Sequence, residues 1–265
     1  MYWYEENRQT EMTLFDGPNS NRYIRHDGIT DWMLHHVQEL YRTKNVTREM
    51  IFYYVYGLLH TSGYREAFET DLRKSLPRLP LPDDVNLFMD IYKVGQQLAQ
   101  LHLAYEQVPA PDVVTVIDTT STTSDTDVTT DTTTTTSSAA SDADTEAAFA
   151  HYRVTKMKFL AKDRKDTIIY NSHITLVGIP DDAYRYVVNG KSAIEWLLER
   201  YCVSTDKASG IRNDANDWAR EHHQPRYILN LLLSVISVSL RSVQLVNSLP
   251  PLFVSADGVK WGEEE

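Results

Sequence analysis

Residues 152–177 read YRVTKMKFLAKDRKDTIIYNSHITLV, and their patterning sets this part of the chain apart from what precedes it. Tyr152, Val154, Met157 and Phe159 fall in a short β-prone run. Thr167-Ile168-Ile169-Tyr170 and His173-Ile174-Thr175-Leu176-Val177 are β-branched and apolar, with Asn171-Ser172 as a bend between them. The charged stretch Lys162-Asp163-Arg164-Lys165-Asp166 reads as a hairpin loop. Short runs with tight connections predict a small antiparallel sheet.

Toward the C-terminus the signals become helical. Pro180 followed by Asp181 and Asp182 is a helix start, because proline has the first-turn φ and acids suit the positive helix end. Asn189-Gly190 is a turn, and Ser192-Ala193-Ile194-Glu195 is a capping box that opens a helix to about Cys202. Residues 204–217 are polar and loop-like, and Pro225 to Leu249 reads as a long apolar helix. Its most apolar part, Ile228 to Leu240, is about 13 residues long and is cut by Arg241. A membrane-spanning helix needs roughly 18 to 20, so a buried helix is expected, with no membrane partner.

Toward the N-terminus lies TSTTSDTDVTTDTTTTTSSAASDADTEAA, near residues 120–148. With one valine to bury, it is expected to act as a disordered acidic linker or loop insertion. Before it, Trp32, Met33, Val37 and Leu40 recur at a helical period, and Thr47 is placed to cap a helix through His60. Ser62 is placed to cap a third helix, the prolines of 77–82 force an extended segment, and Asn86 to Tyr105 fits a fourth helix. The aromatic set around Phe52, Tyr53, Tyr54, Tyr56, Tyr64, Phe68, Phe88 and Tyr92 reads as core rather than as base-stacking surface. The expected class is α+β: a bundle-like helical region, then a small antiparallel sheet and further helices after the insertion. The expected divisions are 1–111, a lead-in and helical region; 112–148, the linker; 149–254, a mixed α/β region; and 255–265, an acidic tail.

The composition suits a globular protein, with 42% hydrophobic and 11% aromatic residues. One cysteine, Cys202, excludes an internal disulfide and a multi-cysteine zinc site, and fits a reducing cytoplasm. The first residues, MYWYEENRQTEM, lack a signal peptide's basic-then-apolar order. The net charge of −11 is unevenly spread. Eight acidic and no basic residues lie between Asp112 and Glu146; without them the charge is −3, and without Glu263, Glu264 and Glu265 as well it is 0. From His151 to Arg241 there are 14 Lys plus Arg against 10 Asp plus Glu, a net of +4.

The motifs of covalent chemistry do not appear. Asn189-Gly190-Lys191-Ser192 shares only the end of a phosphate-binding loop, because Arg185 stands where its first glycine is needed. There is no dinucleotide fingerprint, nucleophile elbow or metal-binding histidine pair. The segment Ser248-Leu249-Pro250-Pro251-Leu252-Phe253 lacks both the polar residue and the aromatic of an amino-methyltransferase loop, and reads as a helix stop. No catalytic or metal-ligating residue is therefore expected, and the chain is not expected to be an enzyme by itself.

What remains is a concentration of groups that suit DNA. Lys156, Lys158, Lys162, Arg164 and Lys165 crowd one hairpin, and Lys207, Ser209, Arg212 and Asn213 crowd one loop. Asn171, His173 and Lys191 complete the candidate set. Arg and Asn match the edges of guanine and adenine, whereas Lys and Ser suit phosphate oxygens. A solvated charged face would have the same composition.

Thirteen stretches carry a family resemblance. In the first half these are YWYEE at 2–6, LF at 14–15, RHDGITDW at 25–32, IFYYVYGLLH at 51–60, YREAF at 64–68, LRKSLPRLP at 72–80 and LAQLHLAYE at 98–106. After the tract come YRVTKMKF at 152–159, TIIYN at 167–171, GIPDDAY at 178–184, YVVNGKSAIEW at 186–196, STDKASGIRNDANDW at 204–218 and VNSLPPL at 246–252. In these the chain resembles the C-terminal specificity, or target-recognition, domain of Type ISP restriction–modification enzymes, apart from the Thr-rich tract and acidic tail. The resemblance implies sequence-specific recognition of double-stranded DNA, on behalf of methyltransferase and translocase domains held in cis or in trans. It places the nuclease, the ATP-driven translocase and the N6-adenine methyltransferase on those other domains. S-adenosylmethionine, ATP and Mg are expected there, and no cofactor in this chain. The other reading is a protein-interaction or scaffold remnant that binds no DNA.

Overall fold

The computed structural model describes residues 2–6, 23–74, 78–120, 142–255 and 258–261. Its elements open with β1 (Tyr2–Glu6), β2 (Tyr23–Asp27), α1 (Asp31–Leu40), α2 (Arg48–His60), α3 (Ser62–Ala67), α4 (Glu69–Leu72) and α5 (Val85–Leu103). Next come β3 (Thr115–Asp118), α6 (Asp142–Tyr152), β4 (Lys158–Ala161), β5 (Arg164–Ile169) and β6 (Ile174–Val177). The chain ends with β7 (Val187–Val188), β8 (Lys191–Ser192), α7 (Ala193–Arg200), β9 (Ser204–Thr205), β10 (Arg212–Asn213), α8 (Ala215–Glu221), α9 (Tyr227–Asn247), β11 (Leu252–Ser255) and β12 (Gly258–Trp261). Helices beside small antiparallel sheets make the fold α+β. Two compact units divide the chain: residues 1–100 with 245–265, and residues 101–244.

In the first unit the chain opens with a hairpin, β1 and β2 pairing from Tyr2↔Asp27 to Glu6↔Tyr23. Thr30 and Thr47 cap α1 and α2, each hydroxyl accepting a backbone N–H at 3.2 Å. Ser62 does not cap α3. Thr61 holds that position, and its hydroxyl donates to the Gly57 carbonyl instead. Helices α2 and α5 meet at Gly57 and Gly95, where a Cβ on Gly95 would lie 1.9 Å from the Tyr53 carbonyl oxygen. Val37, Ile51, Tyr54, Leu58, Tyr64, Phe88 and Ile91 form the core.

The proline-rich segment is extended, and its alternate carbonyls face this core. Tyr41 donates to Pro82 at 2.8 Å, and the Tyr54 and Tyr64 hydroxyls reach the carbonyls of Pro80 and Arg78. The tyrosines thus bury their rings and satisfy the backbone of a segment whose prolines cannot donate. Burial raises the Tyr54 and Tyr64 hydroxyls above their ordinary pKa. Leu249 and Leu252 join this core.

In the second unit the sheet order is β3-β6-β5-β4, all antiparallel. The charged hairpin loop is shorter than its sequence indicates, because Arg164, Lys165 and Asp166 already belong to β5. Two elements fall inside the expected linker of 112–148. Strand β3 pairs Thr115 with Val177 and Asp118 with Ile174, and α6 begins at Asp142. The expectation of disorder for 121–141 lies outside the described residues. Asn189 and Gly190 take φ of 51° and 82° between β7 and β8, the left-handed pair a tight hairpin turn needs. Pro180 precedes a 3-10 turn, Asp181–Tyr184, rather than an α-helix. The Ser192–Glu195 capping box is formed reciprocally at the start of α7.

Helix α9 runs through this core, with Ile228, Leu229, Leu232 and Ile236 buried. It is long and apolar enough to span a membrane by composition, but 67% of the qualifying window is buried inside the protein. Its buried Ser234 and Ser237 hydroxyls donate at 2.6 Å to the carbonyls of Val108 and Pro109. A hydroxyl on a buried helix face is satisfied in this way without disturbing the core.

Candidate nucleic-acid interface

Between α6 and β4 the chain is irregular but bonded at each step. The carbonyls of His151 and Arg153 accept from Asn171 Nδ2 at 2.8 and 3.2 Å. The Tyr152 carbonyl accepts from the Tyr170 hydroxyl at 2.9 Å, that of Val154 from Asn216 Nδ2 at 2.7 Å, and that of Thr155 from the Val203 N–H at 2.8 Å. Five consecutive carbonyls, the last two of α6 and the three that follow it, are thereby satisfied. This stretch borders an open depression of about 490 Å³, lined in part by Arg153, Lys156, Lys158, Asn171 and His173. Its lining carries three cationic side chains and no carboxylate.

A buried carboxylate joins the depression to β10. The Asp214 side chain is 0% exposed. Its Oδ2 accepts from Arg153 Nη2 and Arg212 Nη2, both at 2.7 Å. Its Oδ1 accepts from the Asn216 backbone N–H at 3.0 Å, capping α8, and from Asn216 Nδ2 at 2.5 Å. All four acceptor positions are filled. Burial alone would raise the Asp214 pKa, but the hydrogen bonds from Asn216 and Arg153 outweigh it and hold the carboxyl below its ordinary value. Two guanidinium groups on one carboxylate leave a local net charge of +1.

The other sequence candidates separate by what they touch. Lys156, Lys158, Lys162, Lys207 and Asn213 are exposed. Lys162 sits in the β4–β5 turn, four residues and about 13 Å of extended strand from Lys158. Arg164 pairs with Asp166 at 3.3 Å. Lys165 lies over the rings of Phe159 and Tyr184 and donates to Glu195 at 2.8 Å. That bond outweighs burial and brings the Glu195 carboxyl down to about 2. Lys191 pairs with Glu199 and covers Trp196. Ser209 donates to Asp206 at 2.8 Å, closing the 206–210 turn. His173 stacks on His151, whose Nε2 is 2.7 Å from Asp118 Oδ2.

Two members of the candidate set have their polar groups engaged within the protein. Asn171 cannot read a base edge, because its Nδ2 makes the two bonds above while its Oδ1 accepts from the N–H groups of His173 and Ile174, each at 2.8 Å. Lys165 is partly exposed, with its ammonium held by Glu195 and the two rings. Sequence reasoning missed Arg153, Asp214 and Asn216. Arg153 and Asp214 are 61 residues apart in the sequence, and only the α8 cap gives a local sign of Asp214. Among the described residues no group of three His, Cys, Asp or Glu is placed to hold a metal ion.

Residues 1–231 match the family model of the Type ISP C-terminal specificity domain. No curated protein sequence matches the chain. Solved structures do, three of them as follows. A nuclease-deletion mutant of the Type ISP restriction–modification enzyme LlaGI, in complex with a DNA substrate mimic, is 39% identical with a TM-score of 0.62, over 84% of this chain and 17% of that one. The ATP-dependent Type ISP enzyme LlaBIII, bound to DNA, is 37% identical with a TM-score of 0.68, over 94% and 13%. A DrdV–DNA complex is 30% identical with a TM-score of 0.61, over 84% and 20%. The matched part is thus between 13% and 20% of the length of those proteins. By sequence and fold together, the chain belongs to the family of Type ISP C-terminal specificity domains.

Proposed function

We propose that residues 101–244 recognise a short sequence in double-stranded DNA on behalf of a Type ISP-like restriction–modification enzyme. The observation that carries this is the cationic depression of Arg153, Lys156 and Lys158, joined by the buried Asp214 to the exposed Arg212–Asn213 strand. Lys156, Lys158, Lys162 and Lys207 contact phosphates, which position the duplex, and Arg212 and Asn213 reach base edges, which specify it. DNA bound to relatives 37–39% identical to this chain supports the same reading. The N6-adenine methyltransferase, translocase and nuclease, with S-adenosylmethionine, ATP and Mg, belong to other domains in cis or in trans. The site of action is the cytoplasm.

Fluorescent duplexes titrated with the full chain at two salt concentrations test this. Affinity falls with salt with a log–log slope of about −0.9 per phosphate contacted, and one sequence is preferred over the rest. A flat salt response with no preferred sequence would instead mark a scaffold that reads no DNA.

A further inference from the structure

Arg153 is held more firmly than any other cation at the depression. Its backbone sits in the stretch where five successive carbonyls are bonded, and Asn216 Oδ1 also accepts the Val154 N–H at 2.9 Å. Its side chain is tethered to Asp214, whose other guanidinium partner is Arg212. Because both Nη2 atoms lie 2.7 Å from one oxygen, they are at most twice that, 5.4 Å, apart. That separation is smaller than two base-pair rises of about 3.4 Å each. The Arg153 and Arg212 side chains are 38% and 57% exposed, and no second bond to either guanidinium occurs among the described residues. Of five N–H donors each, four stay available to a ligand.

Resting on the proposed DNA recognition, we infer that Arg153 and Arg212 form a paired guanine reader, with Asp214 as the residue that positions both. Phosphate contact needs only a mobile point charge, and Lys156 and Lys158 supply that beside the pair. A guanidinium tethered through one Nη2 to a saturated buried carboxylate, with its other N–H groups unbonded among the described residues, suits a different partner. Its planar fork matches two acceptors at set geometry, the O6 and N7 of guanine in the major groove. Adenine and cytosine present amino donors at that edge, which an arginine fork cannot accept. The ligand class is therefore duplex DNA with guanines on neighbouring base pairs.

The test uses the full chain and a randomised duplex library. Selection with the wild-type protein yields the preferred sequence. Each guanine in it is then replaced by 7-deazaguanine, which lacks the N7 acceptor. At the guanines facing Arg153 and Arg212 this weakens wild-type binding roughly tenfold or more, the discrimination of a bidentate pair. Arg153→Lys and Arg212→Lys each keep the charge and abolish that sensitivity at one guanine. Affinity for a duplex of unrelated sequence stays within about twofold. Asp214→Asn blunts both sensitivities. A preferred sequence whose guanines all tolerate 7-deazaguanine overturns the inference and leaves DNA recognition standing. So do lysine variants that keep the full preference. If no preferred sequence is recovered, DNA recognition itself fails, and the reader with it.

Discussion

Replacing Asp214 with alanine removes four hydrogen bonds through one side chain, and their environments set the cost. Loss of the α8 cap costs about 1 kcal/mol, within a range of roughly 0.5–2. The bonds to Arg153 and Arg212 would each cost about 1.5–3 kcal/mol in a dry site. Here the guanidinium groups are 38% and 57% exposed and recover water, so each costs nearer 0–1 kcal/mol. The expected total is about 1–3 kcal/mol for Asp214→Ala. For Asp214→Asn, which keeps an oxygen for the cap and loses the charge, it is about 1–2 kcal/mol. Urea unfolding of the three proteins, followed by tryptophan fluorescence, measures the differences. Amide hydrogen exchange adds a local readout, because the Val154 N–H loses protection once Asn216 is no longer held by Asp214. A cost below about 0.5 kcal/mol for alanine, with Val154 still protected, would show that the carboxylate does not organise this loop.

Other perturbations probe separate parts of the structure. Lys156→Ala and Lys158→Ala weaken binding to every duplex alike, and each makes the salt slope shallower by about 0.9, read by anisotropy titration. Gly95→Ala forces α2 and α5 apart, because the new methyl would meet the Tyr53 carbonyl at 1.9 Å. A loss of about 3 kcal/mol or more in urea unfolding is expected, and near-neutral behaviour would refute the close crossing. Glu195 makes the second unit acid-sensitive. Its folded carboxyl lies at about 2, below the ordinary 4.5, so the unfolded chain binds that proton more readily. Its contribution is complete above about pH 4.5 and is lost as pH falls toward 2, and a Glu195→Gln variant has a flatter stability profile across that window.

Legibility in the sequence followed the range of the interaction. The caps at Thr47 and Ser192 and the Asn189-Gly190 turn depend on neighbours within four residues, the strands around Thr167 and Ile174 pair within ten, and the sequence displays them. Strand β3 was hidden because Thr115–Asp118 becomes a strand only by pairing with β6, more than 55 residues on. Its composition also merges into the Thr-rich tract beside it. Leu249 and Leu252 read as a helix stop and its sequel, yet they bury in a core built from residues 37–91. The same limit applied to the site. Lysines 156, 158 and 162 stand out as a local cluster, but Arg153 gains its place only through Asn171, Asp214 and Asn216. Asn171 misleads for the converse reason: an amide suited to adenine also suits a bend, and here the bend uses all of it.

The net charge of −11 and a DNA-facing surface are compatible once the cations are sorted by partner. Of the 14 Lys and Arg residues between 151 and 241, seven pair with carboxylates: Arg153, Arg164, Lys165, Arg185, Lys191, Arg212 and Arg220. Three of the others, Lys156, Lys158 and Lys162, fall within seven residues of one another and have no carboxylate partner among the described residues. The screening length at physiological salt is about 8 Å, so a phosphate at the depression responds to Lys156 and Lys158, which line it, more than to the molecule's total charge. The paired arginines differ in kind. Asp214 is shared between two of them, so the hub stays cationic while its geometry is fixed. On the proposed reading, exposed lysines attract the duplex and a tethered arginine pair discriminates, a division that suits sequence-specific binding because uniform affinity and sequence preference arise from different contacts.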